Sequence, residues 1–152
     1  MISIRPIRDG ERKILATIFA RAVHEIACRD YNTAQLNAWA PGDIASFIAR
    51  HRTSDTLIAE YDGAIAGFSD LDADGYIGML YVSPDFQRRG VAHALLDHIE
   101  VQARQIGITR LHVRASLTAR SVFERHNFQI VEPLVVELAG QHFQTYVMEK
   151  RL

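Results

Sequence analysis

Leu80-Tyr81-Val82-Ser83-Pro84-Asp85-Phe86-Gln87-Arg88-Arg89-Gly90-Val91-Ala92-His93-Ala94-Leu95-Leu96 is the stretch that decides the fold. An apolar segment ends at a Pro84-Asp85 turn, passes through Gln87-Arg88-Arg89-Gly90-Val91-Ala92, and an amphipathic helix follows at once. The first turn of such a helix carries N–H groups that have no partner within the helix, at the positive end of its dipole. Glycine at position 90 removes the side chain that would block approach, so a phosphate can sit on those amides. Arg88 and Arg89 add charge at the same turn. The junction is an anion cradle. It is not a P-loop, because no Gly-Lys-Ser/Thr follows, and it lacks a dinucleotide Gly-x-Gly-x-x-Gly.

Outward from this junction, the hydrophobic period assigns the other elements. Ile2 to Ile7 alternates as a strand, and Asp9 is placed to cap a helix whose apolar residues run from Ile14 to Ile26 at i, i+3, i+4 spacing. Short helices are predicted over Thr33–Trp39 and after Asp43. Thr56–Tyr61 and Ala64–Leu71 read as strands joined at Asp62-Gly63, a hairpin signal. Tyr76–Val82 is apolar on both faces, as a buried strand would be. The helix after Gly90 buries Leu95, Leu96, Ile99 and Ala103 and stops at Gly107. A strand follows around Leu111, Val113 and Ala115, then a helix over Thr118–His126, then strands Phe128–Leu138 and His142–Lys150 meeting at Ala139-Gly140.

Bulk properties set the class. The 152 residues are 48% hydrophobic and 23% charged, which suits one globular domain spanning 1–152 with a real core. A net charge of −1 gives no global field for nucleic acid or an anionic membrane. Cys28 is the only cysteine, so no disulfide forms within the chain and no cysteine-based zinc site is available. No apolar run reaches the ~18 residues of a membrane span, and the opening Met1-Ile2-Ser3-Ile4-Arg5-Pro6 has no long apolar core. A cytoplasmic location is expected.

The junction closely resembles the pyrophosphate loop of GNAT-superfamily N-acetyltransferases, Gln/Arg-x-x-Gly-x-Gly/Ala after an apolar strand. Gln87, Gly90 and Ala92 occupy its three defining positions, and the Val82-x-Pro84 step extends the match. The element order is also that of the GNAT fold, so the resemblance covers essentially the whole chain. It implies an α/β (α+β) fold with a central, mixed and twisted sheet of about seven strands flanked by helices. Met79 to Val82, Arg88 to Gly90 and Phe123 to Arg125 look most like the YafP-type branch.

The resemblance implies acetyl-CoA as co-substrate and an amine acceptor, either a small molecule or a protein. Amides from Arg88 to His93 (Arg88, Arg89, Gly90, Val91, Ala92, His93) would hold the pyrophosphate. The backbone of Leu80, Tyr81 and Val82 would pair with the pantetheine arm, and the Val82 N–H would face the developing oxyanion. A second family pattern, Asn-x-x-Ala-x-x-x-Tyr-x-x-x-Gly-Phe, aligns with Ser116, Ala119, Phe123, Asn127 and Phe128. Ser116 would reach the pantetheine where the family has Asn. Phe123 stands where many members have a tyrosine that protonates the leaving thiolate, and phenylalanine has no proton to give. It would pack against the pantetheine or acetyl group instead. His24, Tyr31 and Trp39 fall where the family shapes its acceptor pocket. Tyr76 lies where some members place a glutamate base; a phenol there would orient a water.

Other constellations point to structure. Asp70-Leu71-Asp72-Ala73-Asp74-Gly75 opens like an EF-hand loop but has Tyr81 at the twelfth position, so a polar turn is expected. His24, His51, His93, His98, His112, His126 and His142 show no metal-ligand spacing, and no metal is expected. No Gly-x-Ser-x-Gly elbow suggests a hydrolase. Two rival functions keep the anion cradle: an acyl-CoA sensor or interaction module without turnover, and a nucleotide-phosphate binding domain. The acceptor, and dimerisation through the last strands, stay open.

Overall fold

Most of the period-based expectations reappear in the computed structural model, which describes residues 1–51 and 56–152. The elements are β1 (Ile2–Pro6), α1 (Arg12–Glu25), α2 (Thr33–Trp39), α3 (Ile44–Arg50), β2 (Thr56–Tyr61), β3 (Ala64–Asp70), β4 (Leu80–Val82), α4 (Val91–Gln105), β5 (Arg110–Ser116), α5 (Arg120–Arg125), β6 (Gln129–Leu138) and β7 (Gln141–Arg151). No described helix is long and apolar enough to cross a membrane.

Among the described residues, seven strands form two antiparallel sheets, ordered β1-β2-β3-β4 and β5-β7-β6. A parallel bridge between Tyr76 and His112 links them and makes the whole mixed. The first sheet is covered on both faces, and the alternation of β2 shows how. Leu57 and Ala59 pack with Leu95, Leu96 and Ile99 of α4. Ile58, pointing the other way, packs with Leu15, Phe19 and Val23 of α1.

Three local expectations are corrected. Asp9 does not cap α1. The helix starts after Glu11, whose carboxylate instead takes Arg5 at 2.6 Å and the Arg8 N–H at 2.6 Å. The helix expected over Thr118–His126 is trimmed to α5. The strand expected over Tyr76–Val82 begins only at Leu80, because the Asp70 carboxylate accepts the N–H groups of Gly78 at 2.7 Å and Met79 at 2.9 Å and bends the chain there. The residues before the bend join the second sheet. His112 N–H donates to Gly75 C=O at 3.0 Å, and Ile77 N–H donates to His112 C=O at 2.9 Å.

Candidate active site

Past that bridge, β4 is the outer strand of one sheet and β5 the outer strand of the other. The alternation of the β3–β4 ladder determines what β4 offers to the gap. Ser83 N–H donates to Ala66 C=O at 2.7 Å and Asp70 N–H to Met79 C=O at 3.3 Å. With Phe68 opposite Tyr81, the pairs 66/83, 68/81 and 70/79 are the hydrogen-bonded ones. Leu80 and Val82 therefore direct their N–H and C=O groups away from β3, toward the open edge. Tyr81 is different from the expectation, because its backbone serves β3 and its side chain faces the α1 layer, edge-on to Phe19 at 4.9 Å.

The loop after β4 is built to present α4. Gln87 does not reach into the cradle. Its Nε2 donates to Val82 C=O at 3.0 Å and Ser83 C=O at 3.3 Å, folding the loop back on the strand. Arg88 (φ 60°) and Gly90 (φ 83°) both take left-handed backbone. A Cβ on Gly90 would meet nothing nearer than Ile2 Cδ1 at 3.9 Å, so protein crowding does not demand glycine. The backbone angle and the open approach do. The first helical bond is Ala94 N–H to Gly90 C=O at 3.0 Å, which leaves the N–H groups of Val91, Ala92 and His93 at the helix start. Arg89 lies over the rings of Tyr61 and Phe86, at 5.3 and 5.6 Å, while Arg88 is exposed. Gly67 on β3 permits close packing behind the site, since a Cβ there would lie 2.8 Å from Tyr81 O and 3.1 Å from Val91 Cγ1. These open amides and the free space over Gly90 can receive an anion at the positive end of α4.

The second motif sits less openly. Ser116 Oγ accepts the Ala119 N–H at 3.1 Å and so shapes the turn into α5. Phe123 is 1% exposed, edge-on to Phe128 at 5.1 Å, and belongs to the core on the α4 side of the sheet. The ring on this short helix is held by the adjacent apolar cluster of α4 and β5.

Among the acceptor-side residues, the Tyr31 hydroxyl donates to Gln144 C=O at 2.6 Å and accepts the Leu117 N–H at 2.9 Å, just beyond the end of β5. Burial raises the Tyr31 phenol above its ordinary range. Trp39 lies 5.6 Å from the Tyr31 ring, 6.1 Å from Phe143 and 6.4 Å from Tyr81, and its Nε1 donates to Tyr81 Oη at 3.2 Å. Burial pushes the Tyr81 phenol up to about 12, so it keeps its proton at neutral pH. His24 is not aimed into this aromatic group; its Nε2 is 2.6 Å from Ala40 C=O. Tyr76 Oη accepts from Arg114 Nε at 3.2 Å. The acidic run is a turn, as expected, with the Asp70 and Asp74 carboxylates taking backbone amides. Sequence reading missed the structural part of Asp70 and Gly67, and the meeting of His126 with His93. Each depends on contacts that the hydrophobic period does not encode.

Residues 27–151 match the family described as acetyltransferase (GNAT) domain. An uncharacterized N-acetyltransferase, YafP of Escherichia coli K12, is 35% identical over 147 residues, covering 97% of this chain and 94% of its own. A crystal structure of a GCN5-related N-acetyltransferase (aminotransferase, class-II) from Rhodopseudomonas palustris superposes with a TM-score of 0.92 at 32% identity, covering 99% and 95% of the two chains. The structure of yncA from Salmonella typhimurium with acetyl-CoA, at 19% identity and a TM-score of 0.67, covers 100% and 94% and shares the fold.

Proposed function

Because this chain belongs to the GNAT acetyltransferase family, we propose that it moves an acetyl group from acetyl-CoA directly to a primary amine in a ternary complex. The enzyme is an N-acetyltransferase. One observation carries the detailed reading: the backbone groups of Leu80 and the Val82 N–H face the open strand edge, ahead of the unpaired amides of Val91, Ala92 and His93.

Acetyl-CoA supplies an activated thioester. The Arg88–His93 turn holds its pyrophosphate, with Arg88 free to add charge, while Leu80 and Val82 hydrogen-bond the pantetheine arm as an added strand. The Val82 N–H polarises the thioester carbonyl and stabilises charge on its oxygen as the amine nitrogen attacks. The C–N bond forms, the C–S bond breaks, and the sulfur leaves as thiolate. With a thiol pKa of ~8.5, that departure needs no acid from the protein, and buried Phe123 offers none. Tyr76, fixed by Arg114, orients a water that takes the proton from the amine. Tyr31, Trp39 and Tyr81 form the wall against which the acceptor sits. Cys28 is exposed and lies outside this arrangement, which favours direct transfer over a covalent enzyme intermediate. Most of the acceleration then comes from holding amine and thioester together.

Isothermal titration with acetyl-CoA, with ATP as control, tests the donor site, and thiol release across an amine library tests transfer. Micromolar binding of acetyl-CoA with release for at least one amine is expected. Absence of acetyl-CoA binding sinks the reading. Phe123 supports a second one, an acyl-CoA sensor without turnover, in which binding persists and no amine yields thiol.

A further inference from the structure

We propose that His93, Asp97 and His126 form a binding site for a divalent transition ion of the zinc class, seated between the first turns of α4 and the end of α5. His93 and Asp97 lie four residues apart on one face of α4, and His126 follows directly on α5. His93 Nε2 is 3.3 Å from Asp97 Oδ2, and His126 Nε2 is 3.2 Å from Asp97 Oδ1. The two imidazoles meet edge to face at 4.7 Å between ring centres. One ligand atom from each residue falls within 4.8 Å of the others. Ligands at ~2.0–2.2 Å from a tetrahedral zinc stand about 3.3–3.6 Å apart, so the Asp97 carboxylate already faces both imidazoles at ligand spacing through its two oxygens, and rotation of the exposed His93 and Asp97 side chains would draw the three ligand atoms in from within 4.8 Å.

Two neutral imidazoles and a carboxylate are a donor set that zinc and its first-row neighbours accept, and a calcium or magnesium ion would want more oxygen. The three residues line one side of a cavity of about 350 Å³, which leaves room for a fourth ligand such as water. Its remaining wall carries cations, yet Lys150 and Arg104 are both paired with Glu100, at 2.6 and 3.0 Å. Arg125 also borders the cavity. Asp97 supplies the negative charge that offsets it. His126 is 6% exposed, while the side chains of His93 and Asp97 are 68% and 59% exposed. One ligand is thus fixed in the protein and two reach it from the surface, an arrangement with an obvious entry path. A bound ion would tie the helix that forms the anion cradle to the turn between α5 and β6.

Calorimetric titration of the untagged full chain with zinc chloride tests the site. One ion per chain is expected, with a rise in melting temperature and the visible bands of a four-coordinate complex when Co²⁺ is used instead. The exposed ligands permit variants that leave the core alone. His93→Ala and Asp97→Asn should each weaken binding at least about tenfold, on the scale of changes around metal centres, whereas His98→Ala on the same helix should not. Lack of saturable zinc binding, or binding that survives both ligand variants, overturns the proposal.

Discussion

Gly90 combines a φ of 83° with an empty approach, and these two facts predict different substitutions. Asparagine tolerates left-handed backbone and should preserve both fold and measurable acetyl-CoA binding. Gly90→Glu places a carboxylate where a pyrophosphate would lie. It should cost about 1–3 kcal/mol of stability through backbone strain and abolish acetyl-CoA binding by calorimetry, with cooperative unfolding retained. Unchanged affinity in that variant would remove the cradle from the mechanism. His51 gives a second, unrelated handle at this scale. It is 4% exposed, stacked on Phe47 at 5.0 Å and hydrogen-bonded through Nε2 to Thr56 Oγ1 at 3.0 Å. Burial, with a smaller push from Arg12, lowers its pKa to about 4. The unfolded chain then binds a proton that the folded chain refuses, so the contribution is complete above pH ~6.5 and fades as pH falls toward about 4. The loss reaches at most about 3 kcal/mol, taking 1.36 kcal/mol for each pH unit between those values. Denaturant titrations at neutral and mildly acidic pH should show this slope in the native protein and a flatter one in His51→Gln; parallel slopes would refute the assignment.

Elements repeat the same logic with backbone in place of side chains. Since the β3–β4 pairs alternate, the amides of Tyr81 and Ser83 should resist hydrogen exchange with or without ligand, whereas those of Leu80 and Val82 should slow only when acetyl-CoA is bound. Slowing at all four, or at none, would contradict pairing of the arm with the β4 edge. Gly67→Ala is the matching mutation: its new Cβ would press on the Tyr81 carbonyl from 2.8 Å and on Val91 from 3.1 Å. Overpacking of this kind should destabilise the fold by about 1–3 kcal/mol and, by shifting β4 against α4, raise the KM for acetyl-CoA. Both features show what a linear reading reaches. Thr33–Trp39 was legible because local signals agree, and the structure adds a capping box between Asn32 and Gln35. The shortness of β4 was not legible, because its cause is a carboxylate at Asp70 reaching amides eight and nine residues away. Phe123 and Phe128 alike read as motif positions, and only packing shows both rings in the core. Backbone-held features such as Gly90 survive in sequence as residue types, whereas the acceptor wall depends on which rings folding brings together.

At the scale of the molecule, the two sheets are joined at the Tyr76–His112 bridge, and the segment from Asp30 to Gln35 ties the helical layer to the second sheet. Thr118 Oγ1 donates to Asp30 Oδ2 at 2.8 Å, and Gln35 Nε2 donates to His142 C=O at 2.7 Å. Tyr31 stands between them with its hydroxyl serving Leu117 N–H and Gln144 C=O together. Tyr31→Phe keeps the ring contacts with Trp39 and Phe143 while leaving those two backbone groups without the phenol. Unsatisfied part-buried polar groups cost about 1–3 kcal/mol, so the variant should lose that much stability. The loss should also have an address: the Leu117 amide should exchange faster, while the β5–β7 ladder from Arg110 to Ala115 keeps its protection. If the phenol's hold on the end of β5 shapes the second-sheet side of the gap, acetyl-CoA must order what the variant has loosened, and its affinity should fall by about tenfold, or 1.4 kcal/mol. A variant with the stability loss but native affinity would confine Tyr31 to holding the second sheet, and the width of the gap would then rest on the bridge at His112 and the bend imposed by Asp70.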